Sequence, residues 1–258
     1  MSDQSEIPHS RENAIRFFEN YIAESANQLN RISVCDLSTG SGYIAHLFEK
    51  AGANVSVYDL FPEQDSFTKT TCQFIDLQEE FPIVSSSADI VLLGETIEHL
   101  PDQFFFFKET SRILKTTGKL LLTTPNSSSL RSRFSQFLME SEHYSRSAPN
   151  ELDAYAKWSE HSDKGYFGKL FISGILRLRT LAGINGLRIK KIHPSPASST
   201  SILLLIFYPW IYYFAKKSLK RQLKNDPDNK QVYEEIFNIN TSLNVLLGKH
   251  LIIEFEKK

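Results

Sequence analysis

The stretch Val34-Cys35-Asp36-Leu37-Ser38-Thr39-Gly40-Ser41-Gly42-Tyr43 constrains the fold more than any other part of the chain. A short apolar run ends in an acid. A small-residue loop with two glycines follows, and then the amphipathic pattern of a helix begins. Gly40 and Gly42 let the backbone turn tightly, and they let a ligand approach where a Cβ would stand in the way. Such a unit holds a nucleotide-type ligand at the carboxyl end of a first parallel strand.

The rest of the chain repeats the alternation. Ile15, Phe18, Tyr21, Ile22 and Leu29 fall near helical spacing and predict a leading helix over 11–28. Arg31–Leu37 is strand one, and Ser41–Ala51 is a helix stopped by Gly52. Asn54–Asp59 alternates as a strand; Cys72–Leu77 and Ala88–Leu93 are further strands. Gln103–Leu114 reads as a helix and Lys119–Thr124 as a strand closed by Pro125. After residue 126 the pattern loosens. A helix near 170–183, a strand at 187–193 and a final strand at His250–Phe255 resume it. Strands alternating with helices through short links imply an α/β protein with a doubly wound, mostly parallel sheet.

Composition narrows the function classes. Of the 258 residues 41% are apolar, enough for a core, and the net charge of −1 gives no basic field for nucleic acid. Cys35 and Cys72 sit in apolar runs and are expected to be reduced, which fits a cytoplasmic protein. Met1–Ser10 lacks a basic segment followed by an apolar one, so no signal peptide is expected.

Four acids stand at successive strand ends: Asp36, Asp59, Asp76 and Glu95. Each alone would pass as a solvated turn carboxylate; together they line the edge where such sheets bind ligands. Asp59 can accept both hydroxyls of a ribose. Asp76 can accept from the exocyclic amine of an adenine while Leu77 covers the ring. Asp36 can orient loop amides or meet an ammonium group.

These residues resemble the class I S-adenosylmethionine-dependent methyltransferases, closely over about 30–126 and loosely beyond. Asp36 through Gly42 is similar to that family's glycine-rich first motif, Val57-Tyr58-Asp59 to its ribose acid and Ile75-Asp76-Leu77 to its adenine side. Asp89 through Leu100 resembles the fourth-strand motif of the branch with the quinone-biosynthesis O-methyltransferases, and Gly118 through Asn126 resembles its fifth strand. Ser38 stands where the family usually has glycine. The resemblance implies a Rossmann-like fold and S-adenosylmethionine as cofactor, held by Asp36, Ser38, Gly40, Gly42, Asp59, Asp76, Leu77 and Gly94. It implies one methyltransferase domain over 1–258, with a cofactor half at 30–126 and an acceptor-side half at 127–258. It also implies an antiparallel last strand over 250–256, with a helical insertion at about 196–248 before it. The rival is an NAD-type Rossmann domain, since Gly40-x-Gly42-x-x-Ala45 fits that fingerprint. That fingerprint needs neither Asp36-Leu37, nor Asp76, nor the Glu95-x-x-Glu98-His99 segment. A non-catalytic cofactor-binding partner in a biosynthetic complex is the other alternative, and Ser38 leaves room for it.

His99 and Glu95 are the candidate catalytic residues. An oxygen acceptor must lose a proton, and imidazole titrates near neutrality. The bland reading is that His99 only caps or packs the turn after strand four. Glu95, Glu98 and His99, at i, i+3 and i+4 of one helical turn, would share a face. The segment is similar to the metal-binding one of quinone-biosynthesis O-methyltransferases and small-RNA 2′-O-methyltransferases, which implies a Mg²⁺-type ion. The acceptor side is expected from the leading helix and from residues 126–168, with His143, Tyr144, Tyr155, Trp158, His161 and Tyr166. Residues 202–215 are apolar for 14 positions, interrupted by Pro209, and Lys216, Lys217, Lys220, Arg221 and Lys224 follow. That is short of the ~20 residues of a bilayer span. It predicts either an element lying in the interface on the inner face of a membrane, or a core strand followed by an ordinary helix. The acceptor is expected to be a small or lipid-linked molecule, a quinone precursor or a sugar, and no nucleic-acid partner is expected.

Overall fold

The computed structural model describes residues 9–142, 148–152, 154–157 and 165–258. The chain forms two compact units. One consists of Met1–Thr124, Leu181–Lys191 and Ile252–Lys258, the other of Pro125–Thr180 and Ile192–Leu251.

The first unit carries the sheet. Its strands are β1 (Ser33–Asp36), β2 (Asn54–Asp59), β3 (Gln73–Phe74), β4 (Ala88–Gly94) and β5 (Leu114–Pro125). After two short strands of the second unit, β6 (Tyr155–Lys157) and β7 (Gly165–Phe167), come β8 (Leu187–His193) and β9 (His250–Lys257). The sheet order is β3-β2-β1-β4-β5-β9-β8. β1 pairs in parallel with β2 and β4, β2 with β3, and β4 with β5. The expected doubly wound, mostly parallel sheet is thus present, with the last strand set between β5 and β8.

Two helices, α1 (His9–Leu29) and α2 (Tyr43–Lys50), pack on the sheet through Phe18 and Phe48, which meet Val34, Val57, Ile90 and Leu92 in one buried cluster. Burying a phenylalanine of this kind contributes about 1.5–3 kcal/mol over leaving it exposed. The third helix, α3 (Gln103–Ile113), starts on a side-chain cap: the Asp102 carboxylate accepts the Phe105 amide at 2.9 Å. It brings Phe106 and Phe107 edge-to-face at 5.5 Å, and Phe107 meets Phe255 of β9 at 5.6 Å.

Three expectations change. The strand expected over Cys72–Leu77 is only Gln73–Phe74, because this edge segment pairs with β2 at Tyr58 and Asp59 and then turns; the Asp76 carboxylate accepts the Gln78 amide at 2.9 Å. β5 starts at Leu114, opposite Ala88, but its next partner pair is Ile90 with Lys119. Residues 115–118 bulge out, with Thr117 at φ 63°. The segment expected as a helical turn from Glu95 to His99 is a 3₁₀ turn over Ile97–His99 only.

The second unit is helical: α4 (Leu130–Met139), most of α5 (Ile175–Ile184), α6 (Ser199–Leu203), a 3₁₀ turn Leu204–Phe207, α7 (Tyr208–Asn225), α8 (Lys230–Thr241) and α9 (Leu243–Leu247). Leu130, Leu204 and Leu246 form its buried centre. Asn126 ties its loops: the amide donates to Val245 O at 2.7 Å and Gly248 O at 2.8 Å and accepts from the Ser128 amide at 3.0 Å. The apolar run 202–215 holds no strand. Pro209 lies in the first turn of α7, where the missing N–H costs nothing, so it starts this helix rather than interrupting it. No helix among the described residues is long and apolar enough to cross a membrane. In the 139–168 segment β6 and β7 form a small antiparallel ribbon, with Tyr155 edge-on to Phe167 at 5.4 Å. His143, Tyr144, Trp158 and His161 lie outside the described residues.

One device holds the loop before β4. The Arg112 guanidinium donates to Phe81 O at 2.9 Å and Ile83 O at 2.8 Å, and pairs with buried Glu109 at 2.6 Å. Glu109 in turn accepts the Phe81 amide at 3.0 Å. Arg112→Ala would leave a buried carboxylate without its cationic partner and two carbonyls without their side-chain donor. The expected cost is about 2–3 kcal/mol, read as a melting midpoint lower by roughly 5–10 °C.

Candidate functional site

The glycine loop leaves β1 at Asp36. Thr39 N–H bonds to Tyr58 O at 3.2 Å, and Gly42 N–H bonds back to Thr39 O at 2.9 Å, closing the turn that feeds α2. Gly42 has φ 85°, and a Cβ there would lie 2.1 Å from the Asp65 carboxylate, so both its backbone angle and its surroundings require glycine. Asp65 is held over it by the amides of Phe67 and Thr68, each at 3.1 Å, and by the Thr68 hydroxyl. Ser66 N–H bonds to Ser41 O at 3.0 Å.

Asp59 spans two loops. One carboxylate oxygen accepts the Gly40 amide at 2.8 Å, the other the Phe61 amide at 2.9 Å. Each oxygen keeps a second lone pair for a ligand hydroxyl.

A cavity opens at the carboxyl ends of β1 and β4. Asp36, Ser38, Thr39, Ser41, Gly94 and Glu95 line its polar side, and Phe18 and Ile15 of α1 belong to its apolar side. Its enclosed volume is about 50 Å³, far below the ~300 Å³ at the low end for small-molecule sites. It can therefore enclose one end of a ligand and not its whole length. The Ser38 and Thr39 hydroxyl oxygens are buried with no hydrogen-bond partner, a state that a polar ligand group would relieve. Burial pushes the Asp36 carboxyl up from 3.8 to about 7, with Asp59 and Asp65 adding to the rise and the Ser38 amide and the nearby Thr39 hydroxyl opposing it. A cationic ligand group would restore the carboxylate. The orphaned hydroxyls, the acid and the glycine cradle fit the amino-acid end of a sulfonium cofactor.

Glu95 follows β4 with φ 51°, a left-handed angle uncommon for a non-glycine residue. Its amide donates to Thr123 O at 2.9 Å, which ties it to the end of β5, and Glu95 lines the cavity wall. Glu98 is fully buried and accepts the Thr124 hydroxyl at 2.9 Å. His99 ends the 3₁₀ turn and does not line the cavity. The shared helical face expected of Glu95, Glu98 and His99 is not formed, because Glu95 precedes the turn in a left-handed conformation. Among the described residues no group of three His, Cys, Asp or Glu side chains is placed to hold a metal ion, and the residues do not fit Mg²⁺.

Of the sequence-predicted residues, Asp36, Ser38, Gly94 and Glu95 meet at the cavity. Gly40 and Gly42 shape its loop and Asp59 holds that loop in place. Asp76 and Leu77 stand after β3, half-buried and buried, and are not part of the enclosed space. Sequence reasoning expected the leading helix on the acceptor side but did not single out Ala14, Ile15 and Phe18 as cavity residues, because their helical spacing reads only as a core face. It also missed Asp65, which only the collision at Gly42 reveals.

Comparison with known proteins agrees with this architecture. A family model described as a methyltransferase domain matches residues 9–161. A ubiquinone biosynthesis O-methyltransferase of Pelagibacter ubique is 28% identical over 127 residues, 46% of this chain and 52% of that protein. The chain thus spans about half the length of the curated relatives it matches. A structure from Listeria monocytogenes, of a candidate S-adenosylmethionine-dependent methyltransferase, superposes with a TM-score of 0.54 at 13% identity, covering 95% of this chain and 99% of the other. A candidate sarcosine dimethylglycine methyltransferase from Galdieria sulphuraria gives 0.53 at 17% identity, covering 96% and 88%. At these identities the likeness speaks for the fold alone. The matched family, the sheet order and the glycine loop agree: the chain belongs to the methyltransferase-domain family, with the Rossmann-like fold of the class I S-adenosylmethionine-dependent methyltransferases.

Proposed function

We propose that the protein transfers a methyl group from S-adenosylmethionine to an oxygen of a small or lipid-linked acceptor, a quinone precursor or a sugar. The observation that carries this reading is the cavity at β1 and β4, where a buried acid and two unpartnered hydroxyls stand beside Glu95. The oxygen acceptor rests on the name of the Pelagibacter relative and on the presence of a candidate base.

In this reading Asp36, Ser38 and Thr39 hold the amino-acid end of the cofactor. Gly40, Gly42 and Gly94 keep the approach free of side chains. Asp59 takes the ribose hydroxyls, and Asp76 with Leu77 brackets the adenine. When bound, the cofactor supplies an electrophilic methyl group on a sulfonium. The protein's own part is to align the acceptor, exclude water and take up its proton. Glu95 lines the cavity and His99 stands off it, which favours Glu95 for the proton and leaves His99 to shape the turn. The exposed apolar and basic residues of 202–224 support peripheral contact with the inner, cytoplasmic face of a membrane, where a lipid-linked acceptor would reside.

Calorimetric titration is expected to show micromolar binding of S-adenosylmethionine, none of NAD(H), and loss of binding in Asp59→Ala. Binding of NAD(H) alone would overturn the reading. With acceptors drawn from membrane extracts, Glu95→Gln is expected to lower kcat by about 100-fold or more, while His99→Ala keeps most of it; the opposite ranking assigns the proton to His99.

Asp36 makes affinity depend on pH. The cationic cofactor binds the ionised form, so affinity rises as pH passes from about 6 to about 8 and the rise disappears in Asp36→Asn. Without ligand the sign reverses. The folded chain keeps a proton that the unfolded chain has lost, so this group's contribution to stability falls as pH rises from 3.8 through about 7. Thermal melts of the two proteins across that range check it.

A further inference from the structure

The second unit holds a groove of about 340 Å³ that has no part in the cofactor cavity. Arg133 of α4 and Asn240 of α8 line it together with Phe207, Trp210, Ile211 and Phe214. Phe207, Trp210 and Phe214 stand at i, i+3 and i+7 and so form one stripe. They are 50%, 59% and 60% exposed, a large aromatic surface to leave in water. Lys217 and Arg221 continue the same stripe at i+10 and i+14. Neither has an ion-pair partner among the described residues.

Arg133 is the odd member. Its side chain is half-buried, and its guanidinium has no hydrogen bond or ion pair among the described residues. Burial alone acts on it, lowering its pKa, with no carboxylate to offset the desolvation. A half-buried cation without an ion-pair partner among the described residues, at the wall of an open aromatic groove, is a place for an anion. The planar fork of donors suits phosphate oxygens in a bidentate way. The Asn240 amide adds a donor from the facing helix, and the aromatic stripe accepts an apolar chain or the interfacial zone of a lipid layer.

The geometry points to this groove as the seat of the phosphate head of a membrane-type amphiphile: Arg133 and Asn240 hold the phosphate, and Phe207, Trp210 and Phe214 carry the start of the apolar chain. The site lies wholly in the second unit and stands independently of methyl transfer. A phosphate group accounts for the cation, and an attached chain accounts for the exposed rings; neither part alone accounts for both.

The test uses the intact protein. The chain has two tryptophans, Trp158 and Trp210, so Trp158→Phe leaves Trp210 emission to report on the groove. Farnesyl phosphate is expected to shift that emission with an affinity about tenfold or more above that of farnesol, and inorganic phosphate alone to leave it unchanged. Arg133→Gln should erase the advantage of the phosphate, and Arg133→Lys should restore part of it. Equal binding of farnesyl phosphate and farnesol would make this an apolar groove only. Full competition by inorganic phosphate would make it an anion site only. Emission that changes with protein concentration alone would mean that a second copy of the chain covers the stripe. Each of these results overturns the proposal, as does unchanged binding in Arg133→Gln. Titration of the same variants with S-adenosylmethionine shows whether the cofactor cavity is intact, so failure here stays separate from failure of the methyltransferase reading.

Discussion

The carboxylate of Asp59 is the constraint on which the candidate site depends. With one oxygen on the Gly40 amide and the other on the Phe61 amide, it joins the loop after β1 to the loop after β2. Hydrogen bonds to a charged acceptor are stronger than neutral ones, and this pair fixes the path of a loop that has two left-handed glycines, Gly40 and Gly42. Without that tie the glycines would give the loop freedom rather than shape. The segment after β2 then lays Asp65 against Gly42, so the same two loops lock from both sides.

Around that frame the electrostatics are one-sided. Asp36, Asp59 and Asp65 are close enough that the latter two help raise the Asp36 pKa, which burial already lifts to about 7. The site therefore carries an acid with no cationic partner beside it, next to the Ser38 and Thr39 hydroxyls, which lack hydrogen-bond partners. Leaving such groups buried costs free energy that a complementary cation and polar group would recover. Ser38, the departure from the usual glycine, adds one of those hydroxyls. Backbone strain lies beside it at Glu95, which is left-handed and bonded through its amide to Thr123 O.

The helical insertion follows a different balance. Its apolar run is divided between α6, a 3₁₀ turn and the first part of α7, and only some of it reaches the core around Leu204. Tyr212 packs on Phe237 at 5.5 Å and the Tyr208 hydroxyl reaches Thr241 O at 3.3 Å, so one side of α7 is anchored on α8. Leu203, Ile206 and Trp210 are left 78%, 70% and 59% exposed. That exposed apolar surface is the physical motive for the groove proposal.

The chain was legible wherever a property is local. Asn54–Asp59 is a strand with the bounds that period-two alternation predicts, Leu187–His193 is a strand over the expected residues, and the glycine loop lies where an apolar run ends in an acid. Asp36, Ser38, Gly94 and Glu95 could be named as one group because parallel strands bring their carboxyl ends to one edge. Local reading failed where distant residues decide. The strand after Cys72 is cut short because only β2 pairs with it. The turn after Glu95 is a 3₁₀ turn over Ile97–His99, and the left-handed backbone of Glu95 keeps it from sharing a helical face with Glu98 and His99. The particular α1 residues at the cavity, the hold of Asp65 on Gly42 and the isolation of Arg133 among aromatic rings left no mark in spacing or composition. The sequence by itself determined the order and type of the elements and the residues at the sheet edge, because those follow from periodicity and from backbone freedom at glycine. Only the tertiary structure decided which polar groups are satisfied and which are left waiting, because that depends on partners brought together from far along the chain.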